Sequence, residues 1–309
     1  MFEAFFGERG RKIGNLFVSS FQLLGNEETV KLITARLIFT VVCHLLVLFV
    51  LFSLTYDYHA GLGILGLFVL LLFIYPYSFL FHLNKRACQT WVAYGKLTGS
   101  DTPIIEAQKV AKERKWPLRM FAVVEIALAK ANSSESNNNG VLGFLIAAAL
   151  AALEGLYDVA ESYLLPAIII ERLPIKDAAG KLRQLKQNVP EALAGAFGMD
   201  VFGGVVSAML MALYFGILLI AGIASYLLPP YIPIEWVTTF NANQGTPFFL
   251  YLLPLYVAGV LISLMHSIIK ILVSSLKATY FAVFYTAVNR PHQLSPGMQE
   301  KVVRYLRLE

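Results

Sequence analysis

Charge is scarce in this 309-residue chain: Asp, Glu, Lys and Arg together make up 15% of it. Soluble proteins carry about a quarter, so an ordinary globular surface is excluded over most of the length. Cysteine is scarcer still. Cys43 and Cys88 stand far apart without metal-ligand spacing, which excludes a disulfide framework and a cysteine-based zinc site. There is no Gly-rich phosphate loop, no His-Glu-x-x-His and no nucleophile elbow. Segments 55–61 and 229–247 lack Lys and Arg altogether and are short, with few functional groups besides Asp57, His59, Glu235 and Trp236. These absences point away from an enzyme, a cofactor and a metal site. The N-terminal MFEAFFGERGRK mixes acids with bases, unlike a cleavable signal, so the first apolar stretch is expected to remain in place.

What the chain has is apolar length. Hydrophobic residues make up 57% of it, and the mean hydropathy is +0.64. Five long apolar stretches run over Ile33–Leu54, Leu62–Phe81, Val141–Ile170, Val201–Leu228 and Phe248–Ile269. Each reaches the roughly 20 residues a helix needs to cross a bilayer core. The basic residues fall in alternate connections: Arg9 to Arg36, Lys85 to Arg119, Arg172 to Lys186 and Lys270 to Arg307. The positive-inside rule assigns the N-terminus, 83–117, 171–199 and the C-terminus to the cytoplasmic side.

Five crossings cannot satisfy that rule, so a sixth is expected at 116–130, WPLRMFAVVEIALAK, with Arg119 and Lys130 snorkelling toward opposite headgroup layers. The alternative for this segment is an interfacial amphipathic helix. The expected architecture is an all-α polytopic bundle over 1–290 with spans near 33–54, 62–81, 116–130, 141–170, 201–228 and 248–269. Both ends are then cytoplasmic, and a tail follows at 291–309. Segment 83–98 should continue the second span, and cytoplasmic amphipathic helices are expected at Ile104–Lys115, capped by Asp101 or Thr102, and at Ile175–Asn188. A net charge of +5 would suggest nucleic acid in a soluble protein; beside membrane segments it suggests anionic lipid headgroups.

Ionisable residues inside apolar stretches are the candidate site. Glu154, Asp158 and Glu161 are spaced i, i+4, i+7 and share one helical face. Counting inward from Ile170 at about 1.5 Å per residue puts Glu161 about 14 Å deep and Asp158 about 18 Å deep. Acids at such depth face the bundle interior and need a proton, a cation or a basic partner. Glu125 and His266 are candidate additions to a proton- or cation-binding path, whereas His44 reads as a core histidine. Gly204, Ala208, Ala212 and Gly216 form a small-residue stripe suited to close helix packing, against the fourth span or in a homo-oligomer.

Three further patterns carry a resemblance. SSFQLLG at 19–25 leads into the first span, Gly99 to Arg114 is a Gly/Pro turn before a basic helix, and Pro166-Ala-Ile-Ile-Ile-Glu171 is followed by Pro174 and a small-residue helix. With the Tyr-bearing segment Lys277–Pro291, this order resembles a prokaryotic family of polytopic membrane proteins related to the membrane domain of glycerophosphodiester phosphodiesterases. That family usually places Trp and Thr where this chain has Tyr157 and Glu161. The resemblance implies a location in the prokaryotic cytoplasmic membrane and no catalytic residues. Two functions stay open: proton- or cation-linked transport over the acidic face, and a scaffold or lipid-interacting role without transport.

Overall fold

A computed structural model describes residues 14–55, 60–123, 160–181, 189–227 and 253–302, and every regular element among them is helical. In chain order these are α1 (14–24), α2 (Glu27–Thr55), α3 (Ala60–Val69), α4 (Tyr75–Thr98), α5 (Ile104–Glu113) and α6 (115–123). They continue with α7 (Ala160–Ile170), α8 (Ile175–Lys181), α9 (Val189–Leu227), α10 (Leu253–Asn289) and α11 (Pro296–Val302). A π turn at Leu70–Ile74 joins α3 to α4 without a break. Four helical runs among the described residues are long and apolar enough to cross a membrane: Glu27–Ser53, Gly61–Thr98, Phe197–Leu227 and Leu253–Asn289. The described residues are thus all-α, and helices satisfy every backbone group within the spanning segment, as lipid demands.

The long helices outrun a bilayer. The 37 residues of α10 span about 55 Å, against about 30 Å of hydrocarbon. No Gly or Pro interrupts 260–290, so the expected amphipathic segment from Lys277 is a continuation of α10. The expected continuation of the second span through 83–98 is present as α4.

Two compact units divide the described chain. One takes in residues within 35–77 and 202–271. Its side chains are apolar and outward: Ile38, Leu45, Phe49, Ile64, Phe73 and Phe215 are all exposed. Water would penalise such a surface, whereas lipid tails solvate it. Its helices meet where side chains are small; a Cβ on Gly66 would lie 2.7 Å from Val50 Cγ2, so α2 and α3 approach closely there.

The other unit, within 1–34, 78–201 and 272–309, has a dense core. Residues 161–170 of α7 are buried without exception, on every face. Tyr280, Phe281, Phe284 and Tyr285 of α10 are fully buried, and the Tyr280 and Phe284 rings stack at 6.3 Å. Leu83, Val92 and Leu97 of α4, Val110 of α5, and Leu118 and Phe121 of α6 join the same cluster. Helix α7 runs through Pro166 and ends at Ile170. Arg172 adopts φ 56°, and Leu173 N donates to Ala167 O at 3.5 Å, closing the helix in a left-handed cap.

Helix α4 ends on Gly99 at φ 79°, a conformation open to glycine. The turn that follows is tight, for Thr102 folds under Gly95 and Asp101 pairs with Lys96. That pairing holds the Asp101 carboxyl below its ordinary range. Asp101 is thereby engaged with Lys96, the Thr102 hydroxyl is buried without a hydrogen-bond partner among the described residues, and α5 starts after Pro103 with no side-chain cap. Of the helix expected at Ile175–Asn188, α8 covers Ile175–Lys181, and 182–188 lie outside the described residues.

Candidate functional site

Of the acidic face, Glu154 and Asp158 lie outside the described residues, as does Glu125. Glu161 opens the buried length of α7, and its Oε1 accepts from Arg86 Nη2 of α4. The side chains are 4% and 13% exposed. An acid on a helix packed on all sides has no water to turn to, so a fixed cation beside it is the condition for its ionised form. Arg86 lies five positions past the apolar stretch that ends at Phe81, in the basic group of 85–119.

One turn along α4, Gln89 is fully buried and its Nε2 donates to Ser275 O at 2.9 Å and Thr279 Oγ1 at 3.0 Å. Thr279 in turn donates to Ser275 O at 3.0 Å. Lys277, two residues from each and so on the other side of α10, reaches Asp200 of α9 at 2.7 Å. Glu171 is a second acidic node at the far end of α7, 3.3 Å from Lys181 Nζ and 3.5 Å from Arg290 Nε. Nearby, Asn289 donates to Tyr163 Oη at 3.1 Å, and the Arg172 guanidinium lies 5.8 Å from the Trp91 ring. The charges of this unit tie α4, α7, α8, α9 and α10 together.

The lipid-type unit holds a different polar feature. His44 Nδ1 donates to Thr40 O at 2.8 Å, and Nε2 lies 3.1 Å from Ser263 Oγ. A carbonyl only accepts, so Nδ1 carries a proton and donates. Arg36 is buried, with Nη1 3.5 Å from Ile271 O. Eight residues up α2, from 36 to 44, match eight residues down α10, from 271 to 263, so the two helices run antiparallel. Thr40 falls between them with its hydroxyl buried and without a hydrogen-bond partner among the described residues. Sequence reasoning passed over this seam, although Arg36, Thr40 and His44 recur every four residues within one apolar stretch.

His266 is on α10 in the lipid-type unit, where it is exposed; Glu161 belongs to the other unit. Gly204, Ala208 and Ala212 face outward on α9, and space is open at Gly204 and Gly216. Among the described residues no three His, Cys, Asp or Glu side chains gather as a metal site would need. The arrangement can neutralise buried charge and pin helices in register. Comparison with protein-family models, curated proteins and solved structures gave no match.

Proposed function

We propose that this chain is a scaffold or lipid-interacting protein of the prokaryotic cytoplasmic membrane. In this reading it is neither an enzyme nor a carrier that moves protons or cations over the 154–161 face. The observation that carries the proposal is the buried Arg86–Glu161 pair. A transport carboxylate must exchange its proton or cation during each cycle. One held by a fixed guanidinium is already compensated, and losing that partner would strand a charge at a cost of about 3–5 kcal/mol. The open small-residue face of α9 supports contact with a second copy of the chain.

The test is flux in proteoliposomes under an imposed pH or cation gradient. The scaffold reading expects no gradient-driven flux from the wild type, Asp158→Asn or Glu161→Gln, and expects Gly204→Leu to break up the oligomer. A wild-type flux that Asp158→Asn removes would establish the carrier reading instead.

A further inference from the structure

Helices α5 and α6 follow one another with a break at Arg114, and each presents an outward face. Ile105 and Lys112 of α5 are spaced i, i+7, and Trp116, Arg119, Met120 and Val123 of α6 are spaced i, i+3, i+4, i+7, so each set shares one face of its own helix. Ile105 is 80% exposed, Trp116 66% and Val123 60%. The opposite side, with Ala107, Val110, Leu118 and Phe121, is buried in the core of the unit to which these helices belong. The exposed apolar side chains are therefore surplus to folding.

Charge decides what covers this face. From 105 to 123 there are five basic side chains, Lys109, Lys112, Arg114, Lys115 and Arg119, against the two acids Glu106 and Glu113. Basic residues are interleaved with large apolar ones, and the Arg119 guanidinium sits 5.6 Å from the centre of the Trp116 ring. Protein interfaces deplete lysine from their centres. A headgroup layer instead accepts Trp and aliphatic tips at its apolar edge and Lys and Arg among its phosphates. The long apolar helices already hold the chain at a membrane, so this face needs no independent affinity to be occupied.

We infer that the α5–α6 face is an interfacial foot seated in the anionic headgroup layer. Trp116, Met120 and Val123 enter the acyl boundary, and Lys112 and Arg119 pair with lipid phosphates. This deepens the lipid-interacting reading above and rests on it. It also assigns the described part of 116–130 to the bilayer surface.

Spin labels at Ile105→Cys, Met120→Cys and Val123→Cys test it, in a Cys43→Ala, Cys88→Ala background of the full chain in lipid nanodiscs. Depth is read by power saturation with oxygen and a water-soluble nickel chelate. The foot requires one shallow depth at all three positions, just below the phosphates. Adding phosphatidylglycerol to phosphatidylcholine should lower nickel access, and Lys112→Gln with Arg119→Gln should abolish that shift. Depth increasing steadily from 120 to 123 toward the bilayer centre would make the segment a crossing and overturn the foot. Labels reached by nickel alone would also overturn it while leaving the flux result standing. Should the cysteine-free background fail to fold, headgroup-proximal brominated lipids must quench the native chain more than Trp116→Phe; equal quenching refutes the foot.

Discussion

Ser263 and His44, 219 residues apart in sequence, meet across the α2–α10 seam with the serine hydroxyl 3.1 Å from the imidazole Nε2. Water does not compete for this bond in lipid, yet an unfolded helix finds other partners there, so such contacts are worth about 0.6–2 kcal/mol. Ser263→Ala should cost that much in unfolding titrations in mixed detergent micelles. In a His44→Ala background the same change should cost almost nothing. Additive losses would mean that the two side chains act separately.

The tight turn after α4 makes Gly95→Ala a sharp probe of packing. A Cβ there would lie 2.6 Å from Thr102 Cγ2 and 2.8 Å from its Cβ. Threonine is stiff at χ1 and its backbone leads directly into α5, so overpacking of about 1–3 kcal/mol is expected. The melting temperature should fall accordingly, and Thr102→Ala should recover only part of the loss, because its Cβ stays 2.8 Å away.

Arg172 holds φ 56° at the end of α7 while its guanidinium lies over Trp91. Glycine would relieve about 1 kcal/mol of backbone cost and forfeit a cation–π contact of about the same size. Arg172→Gly should therefore be nearly neutral in thermal denaturation. Arg172→Val loses the contact and places a β-branched residue in the left-handed region, so it should lower the melting temperature clearly.

Helix α7 shows where the sequence stops being informative. An all-round apolar helix suits lipid tails or a protein interior equally well, and periodicity cannot tell them apart. Counting depth from Ile170 assumed lipid; the described residues of α7 are instead wrapped by α4 and α10 side chains. The partner of Glu161 was equally hidden, since Arg86 lies 75 residues away among many basic residues. The long apolar helices were legible because length and composition alone specify them. The continuation of the second span through 83–98 is legible in the sequence; for α10 the available sign is the absence of Gly and Pro from 260 to 290. The Arg36–Thr40–His44 stripe is visible in the sequence too, but a reading of His44 as a lone core histidine and Arg36 as a flanking base does not connect them.

A double-mutant cycle on Arg86 and Glu161, read as stability in lipid nanodiscs, tests the central claim most directly. Arg86→Met or Glu161→Met alone should destabilise the chain by about 3–5 kcal/mol, because each strands a buried charge. Together they should restore most of that loss, since a matched apolar pair removes both charges. Single variants that keep wild-type stability would show that Glu161 is not a charge the fold depends on, and the account would fail.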